Sequence, residues 1–382
     1  TSSAALIDRL YFNDGSGHFR KSEQVLPTFR YESTGCVAAA DYDGDGDQDL
    51  FVGIRLRPFL YGVPVNGYLL ENDGQGRFTD RTKERAPGLQ ELGLLTDARW
   101  IDYDGDGRSD LLLAGEWMPL RLFANRDGRL VDETKAAGLD GTTGLWNCLR
   151  TGDVNGDGRP DIVAGNHGLN SRLHASPEQP LSMYINDFDG NGTAEQLITV
   201  YNGPEAYPLT LRHDLVMQMP SLKKKYLKYK DYKEQSIEDI FPPEQLARSV
   251  QLTTTELRSS LFLSRPDGKY RLAPLPLEAQ LSPVYGIAVD DFDGDGQADL
   301  LLGGNFYRAK PEVGIHDASY GLFLRGDGRG GFEPLPARRS GFFLRGEVRD
   351  MALLPVGGAP AVLVARNDAP LEVFTYQPRK EQ

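Results

Sequence analysis

The sequence is poor in the residues that usually declare a chemistry. Its 382 residues include only two cysteines, five histidines, five methionines and three tryptophans. Two cysteines cannot staple a disulfide scaffold. Cys36 and Cys148 each stand five residues before an aspartate-rich loop, at equivalent places of two repeats. They read as small buried residues of inner strands rather than a bonded pair. No stretch approaches the roughly 18 apolar residues of a membrane-spanning helix. Basic residues are outnumbered 42 to 55, for a net charge of −13, which argues against nucleic acid as a partner because that needs a basic face. There is no G-x-S-x-G and no H-E-x-x-H, and His18, His167, His174, His213 and His316 share no motif, so no nucleophile or catalytic zinc declares itself. The chain starts at Thr1 without a signal-type apolar segment, and reads as a mature product or a part of something longer.

What it has instead is one nine-residue phrase, written five times. Asp41-Tyr-Asp-Gly-Asp-Gly-Asp-Gln-Asp49 returns as DYDGDGRSD from Asp102, DVNGDGRPD from Asp153, DFDGNGTAE from Asp187 and DFDGDGQAD from Asp291. Side-chain oxygens at positions 1, 3 and 5 converge on one point if the backbone curls tightly. Gly at positions 4 and 6 permits that curl, because it takes positive φ without steric cost. Such a cradle suits Ca2+, which takes six to eight oxygens in a flexible shell. The expected ligands are Asp41, Asp43, Asp45 and Asp49; Asp102, Asp104, Asp106 and Asp110; Asp153, Asn155, Asp157 and Asp161; Asp187, Asp189, Asn191 and Glu195; and Asp291, Asp293, Asp295 and Asp299. Position 7 varies (Asp47, Arg108, Arg159, Thr193, Gln297), as fits a residue that offers only its backbone carbonyl. Five bound ions would add ten positive charges to the net −13 and leave about −3, so much of the acidity reads as metal-site charge. Asn191-Gly-Thr193 also matches the N-glycosylation pattern, but within a metal loop ligation is the better reading.

An EF-hand loop shares the glycine at position 6 but requires a bidentate Glu at position 12. Here position 12 is Val52, Leu113, Ala164, Ile198 or Leu302. The loops run directly into strands instead: DLFVG, DLLLAG, DIVAG, DLLLGG. About 20 residues further on, a hairpin with an Asp-Gly-type turn tends to come next, as in YLLENDGQGRFTD, LRLFANRDGRLVD and LFLRGDGRGGF. The unit is therefore strand, acidic loop, strand, connection, hairpin. Repeated every 40–60 residues, it predicts an all-β propeller of four-stranded antiparallel blades with the metal loops between first and second strands.

Blades are expected at 36–80, 97–134, 146–170, 181–275, 284–335 and 347–377, the last without an acidic loop. The hairpin over 6–31 would represent a seventh, so residues 1–382 read as one seven-bladed domain. Residues 202–258 interrupt it as a partly helical insertion, carrying the basic, aromatic stretch KKKYLKYK from Lys223. Contact with nucleic acid or an anionic glycan is one reading of that stretch, and a solvated helix face is the plainer one.

The loops, with D-[LI]-apolar-apolar and Gly after them, resemble the FG-GAP/VCBS repeats of integrin α-subunit propellers. The insertion KKKYLKYKDY…SIEDIF and the segment SPVYGIAVDDFDGDGQADLLLGGNF are similar to surface proteins of Bacteroidota related to cartilage acidic protein 1. The resemblance implies a Ca2+-stabilised propeller with up to five ions, exported or at the outer-membrane surface, often the C-terminal part of a longer chain. It implies no reaction.

In a propeller the connections between second and third strands gather on one face. Here they bring Arg55, Arg57, Glu116, Trp117, Asn166, His167, Asn305, Phe306 and Tyr307, aromatics beside amides and charges that suit recognition of a protein or a surface glycan within a cell-envelope assembly; packing of Trp117 and Phe306 between blades is the equal alternative. The alternative is a propeller-type polysaccharide lyase or hydrolase. It requires an acid and a base in one pocket, and no such pair declares itself outside the loops, which take up 18 of the 55 carboxylates.

Overall fold

The computed structural model describes residues 6–28, 31–310 and 313–376. Gln377, expected to end the last strand, lies outside them. The chain is all-β with a few short helices. The strands after the acidic loops explain why. In Asp110–Met118, Leu111 and Leu113 point into one apolar layer, while Leu112 and Ala114 point into the next. A strand buried on both faces reads as continuous apolar sequence rather than as alternation, and that is what each acidic loop feeds into.

Four sheets repeat one order. The first is Ser33–Ala40, Asp49–Leu56, Gly67–Asn72 and Phe78–Asp80. The second is Leu94–Ile101, Asp110–Met118, Arg121–Asn125 and Leu130–Asp132, with Gly144–Leu145 added beside Asp110–Met118. The third is Cys148–Gly152, Asp161–Gly165, Ser260–Ser264 and Tyr270–Pro274, and the fourth Val284–Asp290, Asp299–Gly304, Leu322–Gly326 and Phe332–Leu335. A fifth sheet has three strands, Val348–Val356, Ala359–Arg366 and Glu372–Thr375.

Their first strands lie side by side in chain order, and a hydrophobic layer fills each gap. Phe51, Leu95 and Phe123 lie between the first and second sheets, and Leu149, Ile162 and Phe262 between the second and third. Ile287, Leu300 and Leu324 fill the next gap, and Phe323, Met351 and Val362 the last. The first strands also meet across an axis. Arg150 of the third sheet places Nη2 2.5 Å from Asp350 of the fifth and Nη1 3.6 Å from Asp97 of the second. This is the radial geometry of a propeller.

Two expectations change. Ile162 pairs with Phe262 and Val163 with Leu261, so the hairpin at 260–274 completes the third sheet instead of a blade begun at Leu181. The strands Leu181–Asn186, Glu195–Asn202, Glu205–Pro208 and Val250–Thr254 form a separate inserted sheet, ordered with Val250–Thr254 on the far side of Leu181–Asn186. The helices of the insertion pack on it through Phe188, Leu197, Leu215, Tyr226 and Phe241. The insertion is therefore larger than 202–258 and carries its own acidic loop. Of the seven blades expected, five stand as stacked sheets among the described residues, beside the inserted sheet and the hairpin Arg9–Asn13/Phe19–Val25, whose two strands pair with each other. That hairpin and the inserted sheet cover the free face of the first sheet, with Leu10, Leu26, Met183 and Ile185 meeting Val52, Ile54 and Leu70. No pairing closes the stack among the described residues. The outer face of the fifth sheet shows Leu354, Val356 and Val373 to solvent.

The cysteines are both unbonded. Each Sγ occupies the space where the facing glycine of the next strand lacks a Cβ, Cys36 against Gly53 and Cys148 against Gly165, and burial pushes both thiols up to about 12.

Candidate metal centre

All five acidic loops connect the first and second strands of their sheets. The glycines at positions 4 and 6 adopt positive φ in each, for example 80° at Gly44 and 97° at Gly46. That turn aims backbone N–H groups at the position-1 carboxylate. Gly44 and Gly46 donate to Asp41 at 2.8 and 3.0 Å, and Gly105 and Gly107 to Asp102 at 2.9 and 3.0 Å. Gly158, Gly192 and Gly296 do the same for Asp153, Asp187 and Asp291. The position-7 N–H donates to the position-5 side chain, as Arg108 does to Asp106 at 2.9 Å and Gln297 to Asp295 at 2.9 Å.

The curl brings oxygens together. One carboxylate oxygen from each member of four sets lies within 4.8 Å of the others: Asp41, Asp43 and Asp45; Asp102, Asp104 and Asp110; Asp187, Asp189 and Glu195; Asp291, Asp293 and Asp295. Such clusters can hold a metal ion. The Asp153 loop assembles no such set, because Asn155 replaces a carboxylate at position 3; its Oδ1 accepts the Asp157 N–H at 3.0 Å. In the Asp187 loop, Asn191 accepts from the Thr193 N–H at 2.8 Å and from its hydroxyl. The donor set is all oxygen, which fits a hard cation, and Asp47 leaves a buried Oδ1 with no hydrogen-bond partner in the first loop. The residues present thus fit Ca2+.

Position 9 has a second role that the spacing did not announce. Asp49, Asp110, Asp161 and Asp299 are fully buried. Each carboxylate accepts the N–H of position 2 and that of a residue on the third strand. Asp110 takes Tyr103 at 2.9 Å and Asn125 at 2.7 Å; Asp161 takes Val154 at 3.1 Å and Ser264 at 2.7 Å. Asp49 and Asp299 reach Asn72 and Gly326 likewise. Burial pushes Asp49, Asp110 and Asp299 up to about 6 and raises Asp161 and Glu195 as well.

Arginines from the outer hairpins also reach the loops. Arg126 lies 2.6 Å from Asp104, and Arg325 2.9 Å from both Asp293 and Asp295. The position-7 side chains of Arg108 and Arg159, expected to be bystanders, pair with Asp106 and Asp157. Asp41, Asp43 and Asp45 make no ion pair among the described residues. These guanidinium groups would compete with a cation for the carboxylates in the second, third and fourth sheets but not in the first. Arg325→Ala is therefore expected to tighten calcium binding at the Asp291 loop several-fold in calorimetric titration, while an unchanged isotherm would show that the arginine does not compete.

The opposite face differs from what the sequence suggests. Arg55 bonds Glu116 at 2.6 Å, Tyr61 donates to Glu116 at 2.9 Å, and the Trp117 indole donates to Tyr61 at 3.0 Å. Trp117 is buried beneath the inserted sheet. Asn166 is fully buried and donates to the Glu256 carbonyl at 3.0 Å. Asn305 is buried against Ser319 and Gly346, and Phe306 bridges to His316. Arg57 pairs with Glu32 at 2.7 Å. Tyr307 keeps 38% of its surface exposed. His167 and His316, from the third and fourth sheets, meet edge to face at 5.3 Å, and burial pushes His167 down to about 4. The structure thus draws most of these candidates into internal networks, roofed in part by the inserted sheet.

The sheets and loops define a propeller-type, acidic-loop β protein. The family model of the FG-GAP-like repeat matches residues 4–52 and 102–164, which take in the Asp41, Asp102 and Asp153 loops. No curated protein matches the chain. Among solved structures it is similar to the V. cholerae biofilm matrix protein Bap1 (11% identity, TM-score 0.37, 98% of this chain and 73% of that one). It is also similar to BBS1N in a complex with ARL6DN (11%, 0.30, 91% and 93%) and to the Dos1 propeller (10%, 0.26, 97% and 81%). The architecture rests on the strand pairings.

Proposed function

We propose that the protein is a non-catalytic binding or assembly module of the cell exterior, a propeller whose acidic loops take Ca2+ and whose body engages a protein or a surface glycan. The observation that carries this reading is the placement of the same acidic loop at the same turn of successive sheets, with four of the five gathering three carboxylates within 4.8 Å. When bound, the ion would neutralise those carboxylates and tie the first and second strands together. Loops of this type can need the high calcium of an extracellular medium, which supports an exported protein. No helix among the described residues is long and apolar enough to cross a membrane. Kinship with the surface proteins related to cartilage acidic protein 1 belongs to the same proposal.

The reading is tested by presenting the calcium-loaded protein to an array of acidic and neutral glycans and to envelope extracts, with retention expected in calcium and lost in EGTA. The same panel, incubated and assayed for new reducing ends or unsaturated products, is expected to show no turnover; turnover would replace this reading with the carbohydrate-active one.

A further inference from the structure

The insertion carries a surface unlike the rest of the molecule. Between Arg212 and Lys233 there are seven Lys and Arg residues and two Asp, a net +5 within a chain of net −13. Lys223, Lys224, Lys228 and Lys230 are exposed and make no ion pair among the described residues. Beside them stand three large apolar side chains that point into solvent: Met217, Leu227 and Tyr229, at 76%, 68% and 57% exposure.

These groups are held together. Met217 comes four residues after His213 on the helix Arg212–Gln218, so the two share a face. His213 Nδ1 lies 3.3 Å from the Tyr229 hydroxyl. Arg212 donates to the carbonyls of Tyr226 and Leu227 at 2.8 and 2.9 Å and lays its guanidinium over the Tyr229 ring, 5.5 Å from the centroid. Tyr226, Leu215 and Met219 are buried beneath. The turn at 226–229 is thereby fixed with Leu227 and Tyr229 outward and lysines on either side.

We propose that this patch docks the protein on a bilayer surface rich in anionic lipid headgroups, with Met217, Leu227 and Tyr229 entering the boundary between headgroups and acyl chains. The lysines supply the charge complementarity, and apolar tips amid basic residues are the pattern of interfacial docking. A hydrated polyanion would use the lysines but give Met217 and Leu227 nothing to bury in, and one face of Tyr229 is already taken by Arg212. The body, net negative, would be repelled by the same surface, so attachment is local and oriented.

The test is co-sedimentation of the full chain, in calcium, with vesicles of phosphatidylcholine alone and of phosphatidylcholine with a third of phosphatidylglycerol. Retention on the anionic vesicles is expected, falling at least tenfold in the variant K223E/K224E/K228E/K230E and several-fold in M217S/L227S, with melting curves of both variants unchanged. No retention, or retention equal in the wild type and both variants, overturns the proposal. So does binding to a soluble polyanion such as heparin without vesicle binding, or an effect of the lysines with none of Met217 and Leu227.

Discussion

Excess EGTA is expected to lower the melting temperature of the calcium-loaded protein by about ten degrees or more. Each occupied site contributes about 2.7 kcal/mol when free calcium is a hundredfold above its dissociation constant. Four sites then supply roughly 10 kcal/mol, and a large domain shifts by roughly 2 °C per kcal/mol, so the upper end is about 20 °C. The physical reason is that four of the loops each hold three carboxylates within 4.8 Å, which repel one another once the ion is removed. A pH series sharpens the result. Asp49, Asp110 and Asp299 are pushed up from 3.8 to about 6 by burial. In the metal-free protein their contribution to stability is full below about pH 4 and is lost as pH rises through about 6. The ion needs the charged forms, so the increment in melting temperature due to calcium should be larger near pH 7.5 than near pH 5. An identical melting curve with and without EGTA would remove calcium from the account.

Much of this was legible because the loops are local. Five copies of one spacing fix the turn, and the glycines at positions 4 and 6 fix its backbone, whatever the rest of the chain does. The strand after each loop was legible for a similar reason, since DLLLAG can only be buried on both faces. Sheet membership was not. Ser260–Ser264 has the same apolar strand pattern whichever sheet claims it, and its pairing with Asp161–Gly165 is decided by tertiary packing across the whole insertion. The Asp187 loop misled for the same reason, because an acidic turn running into EQLITVY looks alike in a blade and in a sheet laid over the blades. The recognition face is less open than the sequence suggests: Trp117 and Asn166 stand at strand ends where exposure is the natural expectation, but Trp117 lies beneath the inserted sheet and Asn166 is held by Glu256 and Ser259. Spacing makes position 9 a candidate ligand, and Asp110 and Glu195 do join the clustered sets, but spacing does not show that two backbone N–H groups converge on the same carboxylate.

That double role makes Asp110→Ala the most informative single substitution. Its carboxylate is fully buried and accepts two backbone N–H groups, from Tyr103 in the loop and from Asn125 on the third strand. Removing it leaves both donors without a partner, at about 1–3 kcal/mol each, so Asp110→Ala is expected to cost about 3–4 kcal/mol in urea unfolding even in EGTA. Asp106→Ala in the same loop removes a carboxylate whose partners are the Arg108 side chain and N–H and, at 3.4 Å, the Arg126 guanidinium, all at an exposed turn. In EGTA it should change stability by less than about 1 kcal/mol, and it should show its cost only when calcium is present. The pair therefore separates two functions that share one nine-residue phrase. If both variants lost stability only in calcium, position 9 would be a metal ligand alone, and the hydrogen bonds from loop to third strand would contribute little. If Asp110→Ala is costly in EGTA as well, its carboxylate clamps the sheet before any metal arrives, and a metal site has been built on a turn the fold already requires.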